Sequence, residues 1–192
     1  FPDLETNEGI EKLWEAILNA VRISEDNDPI KEWEDHNNNL RVKSAFLTEK
    51  QFDYIASHPE VDVLGSYISE FNEDPNKIET IREVPEENEE IKKYLKKRCP
   101  INHVSVILKK SKLLEVGNYE HVLYNEDYYL WIKMYLKNAV FHNIPDCLVN
   151  VRTNETMFMR RGGKVYFKSE KYIQKVLRKN KIISYPRYLI NV

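Results

Sequence analysis

Val61-Asp62-Val63-Leu64-Gly65-Ser66-Tyr67-Ile68-Ser69-Glu70-Phe71 is the stretch on which the fold turns. It is rich in β-branched and aromatic residues and apolar toward both sides of a pleat, which predicts a strand buried on both faces. Upstream, Thr48 is a good N-cap for a helix to Ser57, ended by His58-Pro59. Downstream, residues 72–76 form a turn, 77–84 alternate as a second strand, and 86–98 make a charged helix. A compact stretch follows. Residues 103–109 alternate Val104, Val106 and Leu108 as a strand, and Ser111 caps a short helix to Val116 that Gly117 closes. Asn125 caps a helix over 126–137 that is apolar nearly all round, which places it, with Tyr128, Tyr129 and Trp131, in the interior.

Residues 140–144 and 147–151 are short strands on either side of Pro145-Asp146, and 157–163 form a basic loop ending in glycine. Residues 165–179 are amphipathic, with Tyr166, Ile173, Val176 and Leu177 on one side and the bases on the other. At the other end, Ile10, Leu13, Trp14, Ile17, Leu18 and Val21 mark one helix over 9–23, before a polar loop over 24–40. Short strands mixed with helices give an α/β or α+β class.

The composition narrows the function. With 192 residues, 42% of them hydrophobic and 11% aromatic, the chain has material for a core, and neither disorder nor a fibrous repeat is its main state. No apolar run approaches the roughly 20 residues of a spanning helix. Cys99 and Cys147 lie far apart with no C-x-x-C spacing, which argues against a zinc ribbon or disulfide scaffold and fits a reducing compartment. The net charge of −2 hides a division: residues 1–47 carry 11 acids and 5 bases, while 151–192 carry 11 bases and 2 acids. A basic end suits phosphate groups, nucleic acid or an anionic membrane, and also suits an ordinary solvated helix face.

Four clusters have residue types that carry chemistry. Glu126 and Asp127 sit in the first turn of the buried helix, where the dipole and free N–H groups hold a carboxylate as an anion able to accept a proton from an attacking hydroxyl. Acids in a first turn are also routine capping partners. Arg160-Arg161-Gly162-Gly163 combines bidentate phosphate donors with a backbone that lets a ligand approach. His103, in Asn102-His103-Val104-Ser105, is either a site residue or a packed polar group. Asp26-Asn27-Asp28 is an acid-x-acid triplet that could hold a divalent ion on a diphosphate, or simply a polar turn.

Taken in order, several segments resemble bacterial family 2 glycosyltransferases, especially the exopolysaccharide (amylovoran-type) group. They are Glu49-Lys50-Gln51 with His58-Pro59-Glu60-Val61-Asp62-Val63-Leu64-Gly65-Ser66, then Asn102-His103-Val104-Ser105-Val106 with Lys110-Ser111. Gly117-Asn118-Tyr119 and Asn125-Glu126-Asp127-Tyr128-Tyr129-Leu130-Trp131 come next, followed by Asn143-Ile144-Pro145, Val151-Arg152 and Met157-Phe158-Met159-Arg160-Arg161-Gly162-Gly163. The resemblance covers residues 49–192. It implies an α/β GT-A (nucleotide-diphospho-sugar transferase-like) fold, incomplete here, with a mixed sheet and flanking helices. It also implies inverting sugar transfer from a nucleotide sugar to an acceptor hydroxyl in bacterial surface polysaccharide synthesis. Asp127 is then the base with Glu126 beside it, His103 lies at the floor of the site, and Arg160 and Arg161 lie near the donor diphosphate or the acceptor.

The family's opening half, a strand with an Asp-Asp-Gly-Ser-like turn and an Asp-x-Asp, has no recognisable counterpart in residues 1–47. The expected organisation is therefore a leader over 1–47 and the C-terminal part of a glycosyltransferase domain over 48–192, in a chain that is a fragment. A divalent cation (Mn or Mg) is expected for the full-length enzyme, with Asp26 and Asp28 as the metal candidates, and weak or no UDP binding is expected of this chain. Expected partners are a nucleotide-sugar donor, a saccharide or lipid-linked acceptor and an anionic membrane surface, not nucleic acid. The expected location is cytoplasmic, at the inner face of the membrane. The basic end should bind such a surface peripherally and release it at high salt, because its apolar side is used by the core. The rival reading is a non-catalytic binding remnant of a glycosyltransferase.

Overall fold

The computed structural model describes residues 48–153 and 163–191. The helix expected over 9–23, the loop over 24–40 and nearly all of the basic loop over 157–163 lie outside them. The chain divides into two compact units, residues 1–59 and 60–192. In the first, helix α1 (Glu49–Ser57) begins at a reciprocal capping box: Thr48 Oγ1 accepts from Gln51 N while Gln51 Oε1 accepts from Thr48 N.

The second unit is built around β1 (Val63–Phe71), the centre of a four-stranded mixed sheet. Seven of its nine residues are buried, as the doubly apolar pattern requires. β4 (Phe141–Arg152) runs parallel along one whole edge. The other edge is shared: β3 (Ile107–Leu108) pairs antiparallel with Val63 and Leu64, and β2 (Thr80–Arg82) with Ile68 to Glu70. The two strands expected around Pro145 are one strand with an irregular register. The pairing steps from Ser66–Ile144 to Tyr67–Cys147, so Pro145, which has no N–H to give the ladder, falls in the bulge with Asp146. At the same edge Asn143 Nδ2 donates to Pro85 O (2.6 Å) and Pro100 O (3.1 Å), and a Cβ on Gly65 would collide with Asn143 Oδ1.

The helices are α2 (Asn88–Leu95), α3 (Lys110–Glu115), α4 (Glu126–Leu136), α5 (Lys164–Lys179) and α6 (Tyr185–Asn191). Two expected caps differ. Lys109, not Ser111, is the N-cap of α3. Asn125 is the N-cap of α4 by position, but its side chain donates to Ser169 Oγ on α5 (2.9 Å) instead of capping. The strand expected over 103–109 is a 3-10 turn (His103–Ser105) followed by the two residues of β3. The core gathers Tyr128, Leu130, Trp131, Ile132 and Met134 of α4 against Ile91 and Leu95 of α2, Ile173 and Leu177 of α5, and Val63 and Phe141 of the sheet. Tyr129 is only half-buried. Val165, Phe167 and Tyr172 of α5, outside the apolar side expected from the sequence, are exposed apolar surface.

Candidate active site

The sheet has a gap that builds the site. Between β3 and β2, Ser66 of β1 has no strand partner on that edge, and a buried backbone needs one. The Asn102–Ser105 turn fills the gap. Ser105 Oγ accepts from Ser66 N (3.0 Å), and Asn102 Nδ2 donates to Ser66 O (2.9 Å) and to Arg82 O (3.2 Å). Both bracketing residues are buried, which fixes the half-buried His103 between them.

The His103 ring stands edge-on to Trp131, with centroids 6.2 Å apart, and its Nε2 is 2.9 Å from the Tyr119 hydroxyl. Trp131 lies four residues beyond Asp127, one turn along the same face of α4. Asp127 is half-buried in the first turn of α4. Its Oδ1 accepts from Tyr128 N (2.7 Å), and its Oδ2 is 3.8 Å from the Cys99 thiol, which donates to it. The Asp127 carboxylate is near enough for its charge to act on two neighbours. Burial first, then Asp127, pushes the Tyr119 hydroxyl up to about 12. The same two causes, in the same order, push the Cys99 thiol well above its usual range. Both groups are therefore neutral donors beside the carboxylate at neutral pH.

Tyr119 is placed by an unusual turn. Gly117 and Asn118 are successive left-handed residues (φ 81° and 65°), a conformation natural to glycine and tolerated by asparagine. Lys133 of α4 then clamps the loop, donating to Asn118 O (2.6 Å) and pairing with Glu120 (2.9 Å). One helix thus carries Asp127, the Trp131 ring under His103, and the lysine that holds Tyr119.

The structure brings Asp127 and His103 into one cluster around Tyr119 and Trp131. Glu126 is half-buried at the first position of α4. Arg160, Arg161, Asp26 and Asp28 lie outside the described residues. Among the described residues no group of three or more His, Cys, Asp or Glu side chains could hold a metal ion. Also among them, no helix is long and apolar enough to cross a membrane. Sequence reasoning gave no role to Tyr119, Cys99 or Lys133. The Gly117-Asn118 pair was the available signal for Tyr119, whereas Cys99 and Lys133 meet the site only through the tertiary fold.

Comparison with known proteins divides the chain. Residues 1–70 match a family described as Thermophilic metalloprotease (M29). An uncharacterized glycosyltransferase of Haemophilus influenzae is 42% identical over 122 residues, 64% of this chain and 45% of that protein. The amylovoran biosynthesis glycosyltransferase AmsE of Erwinia amylovora is 38% identical over the same shares. The UDP-Gal:alpha-D-GlcNAc-diphosphoundecaprenol beta-1,3-galactosyltransferase of Escherichia coli is 35% identical over 140 residues, 73% of this chain and 50% of that protein. The chain spans about half the length of these curated relatives. No solved structure matches. The resemblance to bacterial glycosyltransferases, including an amylovoran enzyme, is thus borne out. The metallopeptidase match, which no motif had suggested, contains Asp26 and Asp28 and ends before His103, Tyr119 and Asp127.

Proposed function

We propose that this chain is part of an inverting glycosyltransferase of GT-A type, transferring a sugar from a nucleotide sugar to an acceptor hydroxyl in bacterial surface polysaccharide synthesis. Residues 48–192 carry the C-terminal part of that domain, behind a leader over 1–47. The reading is supported by likeness to three curated glycosyltransferases and carried by one observation: the half-buried Asp127 carboxylate shares a cluster with His103 and Tyr119. Asp127 takes the acceptor proton as the acceptor oxygen bonds to the anomeric carbon and the bond from that carbon to the diphosphate breaks. A single displacement inverts the configuration. Glu126 adds negative charge beside the base. His103 and Tyr119 offer hydrogen bonds that orient the acceptor, and Arg160 and Arg161 hold the diphosphate or the acceptor. The acceptor is a saccharide or a lipid-linked one, and a peripheral contact with an anionic membrane at its inner face belongs to the same proposal.

A divalent cation is expected for the full-length enzyme; in this chain Asp26 and Asp28 are the acid pair to test as its ligands, and they fall within the metalloprotease match. The catalytic proposal is tested by Asp127→Asn, which keeps the shape and removes the basicity. Sugar transfer should fall about 100-fold or more with donor binding intact, and transfer at the wild-type rate would remove Asp127 from the mechanism. Calorimetry with UDP and Mn²⁺ or Mg²⁺ tests the metal pair. Weak binding that is unchanged in Asp26→Ala with Asp28→Ala is the expected result, and tight binding lost in that double variant would make the leader the donor site.

A further inference from the structure

We propose that α5 is a membrane-contacting helix whose outer face lies flat on an anionic lipid bilayer, with the apolar residues along its two borders entering the headgroup layer. At 3.6 residues per turn, Lys179, Lys168, Lys175, Lys164, Lys171 and Arg178 fall side by side within an arc of roughly 100°. That arc is directed away from the buried Ile173 and Leu177. Five of the six cations are exposed and Lys171 is half-buried, and among the described residues none has an ion-pair partner. The single acid of the helix, Glu170, lies on the inner side.

The borders are what a charged face in water does not need. Val165 and Tyr172 flank the arc on one side, 53% and 46% exposed, and Phe167 flanks it on the other at 53%. The Tyr172 ring lies tilted against Tyr129 of α4, with centroids 6.3 Å apart. Beside the Phe167 border, Asn191 Nδ2 of α6 donates to Gln174 Oε1 (2.8 Å), and α6 exposes Leu189 and Ile190. A row of cations about 24 Å long, with apolar residues on both margins of its first half, matches the plane of a bilayer surface: lysines meet anionic headgroups and aromatic rings settle at the acyl boundary. Nucleic acid would use the cations but leave Val165 and Phe167 in water.

The inner side of this helix holds Ser169, the partner of Asn125 at the N-terminus of α4. The bilayer face and the Asp127 turn are therefore joined by one hydrogen bond, which suits an acceptor anchored in lipid. The inference extends the lipid-linked-acceptor reading, and its test needs no sugar transfer, so either can fail alone. It also alters the expectation of purely salt-sensitive attachment, because apolar insertion is not screened.

Co-sedimentation of the whole chain with vesicles decides it. Phosphatidylglycerol-containing vesicles should bind at least about ten-fold better than phosphatidylcholine ones, with part of the binding surviving high salt. Lys168→Gln with Lys175→Gln should weaken low-salt binding about 25-fold, at about five-fold per cation. Val165→Ser with Phe167→Ser should abolish the salt-resistant part alone. Circular dichroism checks that both variants, which alter exposed positions, keep the fold. Equal pelleting with both vesicle types, complete release at high salt, or tighter binding to a DNA duplex than to the anionic vesicles would each overturn the proposal.

Discussion

Helices α4 and α5 pack into the same core, yet they use their residues in opposite ways. α4 buries Tyr128, Leu130, Trp131, Ile132 and Met134 and has little room for a polar side, so its chemistry is confined to its first turn. α5 buries a narrow stripe and leaves an arc of six cations outside. On α4 the buried residues are constrained by packing whatever else they do. On α5 the outer residues have no packing reason to be basic, so their uniform charge points to something outside the molecule.

The sharpest way to break this contrast is Trp131→Ala. Trp131 is fully buried under His103, and its removal should cost about 3–5 kcal/mol in urea unfolding. A cost near zero would mean that α4 is not the centre of the core. Next comes Tyr128→Phe. The buried Tyr128 hydroxyl donates to Leu95 O at 2.6 Å, and losing it strands that carbonyl, for about 1–3 kcal/mol. The effect has a pH signature. Burial holds the Tyr128 hydroxyl protonated far above its ordinary 10.0, so its contribution is complete below pH 10 and is lost as pH rises further. The gap between wild type and Tyr128→Phe should therefore narrow in alkali, and a gap that widened would refute the burial argument. Tyr67 and Tyr119, both raised to about 12, add alkaline loss over pH 10–12. The smallest effect belongs to α5: Lys168→Gln with Lys175→Gln should change stability by no more than about 0.5 kcal/mol. A loss of about 2 kcal/mol would show that the arc is packed, not free.

The same contrast explains what the sequence disclosed. β1, α4 and α5 were legible because their signals are local: continuous apolar character, or a stripe at helical spacing. The single strand β4 was not, because Pro145 reads as a terminator and only the pairing with β1 absorbs it as a bulge. The 103–105 turn was read as strand because Val104 and Val106 alternate. What overrides that alternation is the unpaired backbone of Ser66, a need created by residues 36 or more positions away. At the site, Asp127 and His103 were visible through motifs. Their meeting across Tyr119 was not, since the Lys133 clamp and the Gly117-Asn118 turn act only once α4 is in place.

The closeness of Gly65 to Asn143 has a consequence for how this chain can change over time. Any side chain at 65 meets Asn143 Oδ1, while Asn143 is held by two proline carbonyls from separate loops. Shortening Asn143 strands both carbonyls, and enlarging Gly65 displaces Asn143. Neither single step is neutral, so the two positions behave as one heritable unit, passable only by paired replacement. In a set of related sequences they should drift together or not at all, although 77 residues lie between them.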